Sequence, residues 1–246
     1  MTTNKRICLI SCEIFFREVC YFASRSKDIL DVIFLPKGLH DLGGEKMQEI
    51  LQKEIDKAEE KDYLKIILGY GLCNNGTVGL MAKKTQIIIP KAHDCITIFL
   101  GSKGKYKEYF FNNPGTYFHT SGWIERGEPE GQYFDSQLGP KQLLKDFIEK
   151  YGEENGKYLW EILNPEKNYS KIAYIKIDIP IFSDFQDLSK KIAKDKNWKW
   201  EEIKGDAKLL EKIVCGPYNK EEFLIIPPYH KIIATNDENI INCIKI

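Results

Sequence analysis

Lys65-Ile-Ile-Leu-Gly-Tyr-Gly-Leu-Cys-Asn-Asn-Gly76 is the stretch on which the fold turns. It opens with an apolar run, Lys65 to Gly69, that is too short for a helix and continuous rather than alternating. A strand covered on both faces of a parallel sheet reads this way. The same signature occurs at Ile7 to Cys12, Val32 to Leu35 and Gln86 to Pro90, all rich in β-branched residues. Helix-like stretches fill the gaps. In Glu45 to Asp62, Met47, Ile50, Leu51, Ile55 and Ala58 follow helical spacing, and Glu49 stands four residues before Lys53. Glu13 to Ser24 and Val78 to Lys84 are expected helices in the other two gaps. The succession predicts an α/β fold for residues 1–127, a doubly wound, Rossmann-like parallel sheet.

Beyond this region the pattern changes. Pro114 to Gln137 is rich in aromatics, Gly and charge and reads as loop. Pro140 stands at an allowed first-turn position and opens a helix with Leu143, Leu144, Phe147, Ile148 and Tyr151 on one face. A second helix, Glu154 to Leu163, is expected to stop before Pro165. Strand-like and helix-like segments then alternate: Ile172 to Ile179, Asp187 to Lys194, Trp198 to Ile203, Ala207 to Val214 and Phe223 to Ile226. Residues 128–246 are thus expected to form a helical connection and a second α/β domain. A ligand cleft would lie between the halves, which join near Gly127 to Pro140.

The chain of 246 residues is 43% hydrophobic, which excludes disorder as its main state. Lys+Arg and Asp+Glu both number 36, so no global field attracts nucleic acid or an anionic membrane. Apolar runs such as Phe223 to Ile226 fall far below the roughly 20 residues that span a bilayer. The polar start, Met1 to Arg6, leads into a run too short and Cys-rich for a secretory segment, so a cytoplasmic protein is expected. Seven cysteines, an odd number without framework spacing, point to reduced thiols.

In open parallel sheets functional groups gather beyond the carboxyl ends of the strands. Here those positions carry Cys12-Glu13, Gly38-Leu-His40-Asp41, the Gly69 to Gly76 turn, and Pro90-Lys-Ala-His93-Asp94-Cys95. Cys12, Cys73 and Cys95 are therefore candidate metal ligands. Three thiolates with one open position suit a 4Fe-4S cluster first and zinc second. His40 and His93 are candidates for a fourth ligand or an acid-base group, and Asp94 for a carboxylate that orients an imidazole. Gly69, Gly71, Asn74 and Gly76 are candidates for a substrate-anion or cofactor site, since such turns bring backbone N–H groups to a ligand. Each feature also has a purely structural reading: buried Cys packs as a small hydrophobe, and a tight βα turn needs positive φ for its own sake. Cys8, Cys20, Cys215 and Cys243 read as core or surface thiols, and His119 and His230 as packed or surface side chains. Tyr70, Tyr117, Phe118 and Trp123 are candidates for an aromatic pocket wall.

Ser11-Cys-Glu13, Gly38-Leu-His40, Gly69 to Gly79, Pro90 to Ile96, Gly101-Ser102 and Pro114-Gly-Thr-Tyr together resemble the family called domain of unknown function 1638 over about residues 7–128. This chain has Glu13 and Asn74 where the family pattern carries Gly. The resemblance implies anaerobic metabolism and a link to corrinoid-dependent methyl transfer. The expectation is a cytoplasmic metalloenzyme, a lyase or transferase with a small-molecule substrate. A corrinoid or methyltransferase protein is the expected partner, and oligomeric state is left open. Two other classes compete: a non-catalytic protein that holds a small molecule or cofactor in the cleft, and a metal-free hydrolase or transferase with Cys73 or Cys95 as nucleophile.

Overall fold

The computed structural model describes residues 6–127, 144–163, 168–180 and 184–246, and the side chains of all of these except 40, 41, 144–147 and 160–163. Strand β1 (Arg6–Cys12) leads through a short 3-10 turn (Glu13–Phe15) into α1 (Phe16–Ala23), then β2 (Ile29–Leu35), a second 3-10 turn (Lys37–Leu42), α2 (Gly44–Glu59) and β3 (Lys65–Gly69). The two-residue β4 (Met81–Ala82) precedes β5 (Gln86–Pro90). Helices α3 (Cys95–Leu100) and α4 (Lys103–Asn112) follow, then β6 (Thr116–Thr120) and α5 (Ser121–Glu125). Next come α6 (Leu144–Tyr151), α7 (Glu153–Leu163), β7 (Lys171–Lys176), α8 (Gln186–Asp195), β8 (Lys199–Lys204), α9 (Lys208–Cys215), β9 (Phe223–Ile226), β10 (His230–Ala234) and β11 (Ile241–Lys245).

The fold is mixed α/β, with two sheets containing parallel strands. The first has the order β2-β1-β3-β5-β9, parallel except for β9, which runs antiparallel beside β5. Ile7, Leu9 and Ile10 on β1 and Ile66, Ile67 and Leu68 on β3 are all buried, although neighbouring side chains point to opposite faces. Cover on both faces is what the continuous apolar runs require, and each such side chain contributes roughly 1.5–3 kcal/mol by leaving water. Strands β6, β7 and β8 form a second, wholly parallel sheet in that order. A small antiparallel sheet, β11-β10-β4, packs beside β5 and β9 of the first sheet.

Sheet membership crosses the 127/128 boundary expected from the sequence. Strand β6, before it, pairs with β7, and β9, after it, pairs with β5. The expected join at 127–140 lies almost entirely outside the described residues.

Two expectations fail locally. No helix forms over Val78 to Lys84: residues 73–79 are turn, and β4 follows. Positive φ at Cys73, Asn74, Asn75 and Gly79 is incompatible with a right-handed helix, and Gln52 on α2 binds the Met81 amide and carbonyl with its side-chain amide. The stretch from Pro114, read as loop, holds β6 and α5, because its aromatics are buried sheet residues: Tyr117 and Phe118 both face inward.

Candidate functional site

Register places three strand ends side by side. Ser11 pairs with Gly69, so Cys12 and Tyr70 are the next residues on adjacent parallel strands, about 4.8 Å apart in backbone spacing. Strand β5 flanks β3 on its other side, and the loop leaving it reaches back to the first: Leu72 N–H donates to the Ala92 carbonyl at 2.8 Å and Cys73 N–H to the His93 carbonyl at 2.9 Å. The loops carrying Cys73 and Cys95 are thereby tied together.

Glycine makes this closure sterically feasible. A Cβ on Gly69 would meet Ser11 Oγ at 2.5 Å. One on Gly71 would stand 2.8 Å from both the Ala92 carbonyl oxygen and the Asp94 nitrogen. One on Gly76 would meet Met47 on α2 at 2.3 Å. The space beside these three glycines is thus taken by protein, and no helix starts behind the turn. Asn74, exposed and left-handed, is the member of the predicted anion-binding set that lines an open cleft.

Cys12, Cys73 and Cys95 lie close enough to act on one another electrostatically. Burial is the largest influence on each, pushing Cys12 up to about 12 and the other two well above their ordinary range, with Asp94 next for Cys73 and Cys95. Opposing this, backbone N–H groups face the sulfurs: Ile14 faces Cys12, and Gly71 and Cys95 face Cys73. In the free protein these are neutral thiols, the reverse of an activated nucleophile, which needs a depressed pKa. Tyr70 is 3% exposed, its hydroxyl has no partner among the described residues, and the charges it feels come from Cys12, Cys73 and Glu13. Among the described residues no group of three His, Cys, Asp or Glu is spaced to hold a metal ion.

Cys73 and Cys95 both line a cleft of about 400 Å³, together with Asn74, Asp94, Tyr106, Phe118, Trp123 and Tyr169. Two of the four predicted wall aromatics, Phe118 and Trp123, stand there; Tyr117 and Tyr70 are buried elsewhere. Asp94 caps α3, its Oδ1 accepting from Thr97 N–H at 3.0 Å, and its Oδ2 accepts from the Tyr106 hydroxyl at 3.0 Å. Its partners are thus a helix end and a tyrosine rather than an imidazole. His93 is exposed, stacks on Tyr106 and lines a neighbouring groove. The side chain of His40 lies outside the described residues. His119 is fully buried with Nδ1 2.9 Å from Ser189 Oγ, and burial lowers it to about 3, as a packed histidine requires.

Lys37 escaped the sequence reading. It is 8% exposed, with Nζ donating to the Trp123 carbonyl at 3.1 Å and lying 4.8 Å from the indole centroid. Its charge acts on Cys12, drawing that thiol down against the pull of burial. A lysine in Leu35-Pro-Lys-Gly38 looks like ordinary loop, and only its neighbourhood to a strand end could have marked it.

No curated protein and no solved structure matches the chain. A family model described as a protein of unknown function, DUF1638, matches residues 34–214, a span that includes Cys73 and Cys95. The match covers well over half of the chain, and the protein therefore belongs to the DUF1638 family of proteins of unknown function.

Proposed function

We propose that this protein is a metalloenzyme in which Cys12, Cys73 and Cys95 hold a 4Fe-4S cluster beside the cleft. The observation that carries the reading is the convergence of three thiols from three adjacent strand ends, Cys12 buried and Cys73 and Cys95 half-buried at the cleft, faced by backbone N–H groups and by the Tyr70 hydroxyl, which has no partner among the described residues. Amide donors aimed at sulfur favour a thiolate. A buried hydroxyl without a partner is costly unless an acceptor sits against it when the site is filled. The order β2-β1-β3 supports a doubly wound, Rossmann-like organisation, whose crevice falls between β1 and β3, where Cys12 and Tyr70 stand.

Three thiolates on separate loops can clasp a large object, which favours a cluster over one zinc ion. When bound, the cluster supplies an iron without a protein ligand for Lewis-acid or one-electron chemistry. The chain's own contribution is the cleft: Phe118, Trp123 and Tyr169 exclude water and hold an apolar substrate body. Tyr106, its proton committed to Asp94, presents oxygen lone pairs to a substrate donor. The reading keeps a cytoplasmic setting, a lyase or transferase reaction, and a corrinoid or methyltransferase protein as partner.

The test is anaerobic purification followed by absorption spectroscopy and iron and sulfide analysis, with Cys12→Ser, Cys73→Ser and Cys95→Ser alongside. A brown protein with about four irons per chain, lost in all three folded variants, is expected. Iron retained in Cys73→Ser, or no iron and sulfide after reconstitution of the parent, would overturn the proposal.

A further inference from the structure

The second parallel sheet has a carboxyl edge of its own, and a polar chamber opens there. Strand β6 ends at Thr120 and Ser121, and β7 runs out at Lys176 to Ile179. Between them and α1 lies a chamber of about 80 Å³, room for a few water-sized groups. Glu18 forms part of its wall. This glutamate stands in the first turn of α1 on the face that also buries Val19 and Phe22, and it is 1% exposed. Its Oε2 has no partner among the described residues. The nearest guanidinium, Arg17, is taken by Glu125 through bonds of 2.8–3.1 Å. A helix start offsets part of the cost of burying a carboxyl group but leaves that oxygen unsatisfied.

Ser121, Tyr174 and Asp184 share its wall with Thr120, the exposed Lys176 and apolar side chains. Ser121 Oγ and the Tyr174 hydroxyl lie 2.7 Å apart, and that hydroxyl accepts from Phe185 N–H at 3.3 Å and donates to Asp184 Oδ1 at 3.3 Å. All three side chains face the space that Glu18 faces. Hard oxygen donors of this kind hold either a metal cation or an ammonium group. Only two of them are carboxylates, no third His, Cys, Asp or Glu among the described residues joins them as a metal set, and a phenol is a poor metal ligand. An ammonium group, with three N–H donors on one atom, matches acceptors on three sides.

We propose that Glu18, Ser121, Tyr174 and Asp184 form a second ligand site, which takes the primary ammonium group of a small molecule. Ile179 lines both the chamber and a groove of about 1160 Å³ beside it. That groove, bordered by Arg25, Asp28, Lys204 and Asp206, receives the remainder of the ligand. The site does not depend on the cysteine cleft, so it stands whether or not a cluster is bound there.

The experiment is titration of the full chain with n-butylammonium and with 1-butanol, followed by calorimetry and amide chemical shifts. At pH 8, where the Glu18 carboxyl group is ionised, saturable binding of the amine alone is expected, weakened roughly ten- to a hundredfold by Glu18→Gln, the loss of one charge-assisted hydrogen bond. The exposed Asp184→Asn serves as a second variant that leaves the core untouched, and it also weakens binding. Equal binding of the alcohol, no saturable binding to the folded parent, or unchanged affinity in either folded variant would overturn the proposal.

Discussion

The amide of Cys73 donates to the carbonyl of His93 across 2.9 Å, so two loops that leave different strands move as one body. Gly71 is where they approach most closely, and no side chain fits between it and Ala92 or Asp94. Gly71→Ala is therefore expected to cost about 1–3 kcal/mol in denaturant unfolding and to lower iron occupancy after reconstitution. Full stability and full iron together would refute the steric account.

Asp94 joins α3 to Tyr106 through its two oxygens. Asp94→Ala removes a helix cap worth about 0.5–2 kcal/mol and a bond to Tyr106 worth about 1 kcal/mol. A loss of that order is expected in chemical denaturation, with increased mobility of the Tyr106 ring by NMR. A variant as stable as the parent would show that solvent replaces both contacts.

Tyr70 gives opposite expectations for the two forms of the protein. Without metal, Tyr70→Phe deletes a buried hydroxyl that has no partner among the described residues, so stability should hold or rise by about 1 kcal/mol. With a cluster in place, the lost donor should shift the reduction potential downward, because a hydrogen bond to sulfur stabilises the reduced state. Potentiometry of the parent and variant separates these effects; an unchanged potential would place the hydroxyl away from the cluster.

Glu18 should make stability depend on pH. Burial raises its carboxyl group to about 7 from an ordinary value of 4.5. Below pH 4.5 the group is protonated in both the folded and unfolded states and costs nothing. As pH rises towards 7 the unfolded state ionises while the folded one keeps its proton, so the parent loses stability across that window and no further above it. By linkage this amounts to about 3 kcal/mol. Glu18→Gln lacks this effect, so its stability relative to the parent should climb between pH 4.5 and 7. Parallel curves in urea unfolding would contradict the assignment.

The parts of the fold legible in the sequence were those whose burial leaves a one-dimensional trace. Ile66 to Leu68 and Ile87 to Ile89 are covered on both faces, and an unbroken apolar run records that directly. Cys12, Cys73 and Cys95 could be grouped because position at a strand end is itself a spatial statement. The Gly69 to Gly76 segment was legible as a turn, but the failure of the helix expected over Val78 to Lys84 was not, since left-handed backbone running on to Gly79 leaves no local mark before Leu80 and Met81. Lys37 and Glu18 were invisible for a related reason: a charged residue announces a solvated face, and only tertiary contacts reveal the exceptions. The pairing of β6 with β7 was hidden because hydrogen bonds between distant strands leave no local mark.

Strand β9 reaches β5 from far along the chain, with Phe223 beside Pro90 and Ile226 beside Ile87. During synthesis, Ile87 to Ile89 leave the ribosome after their partner β3 but long before β9, their neighbour on the other side, exists. For that interval the nascent chain carries an apolar, unpaired edge, the kind that recruits other chains into aggregates. The four parallel strands can pair first, so completion of the sheet by β9 is a late event with a large loop to close.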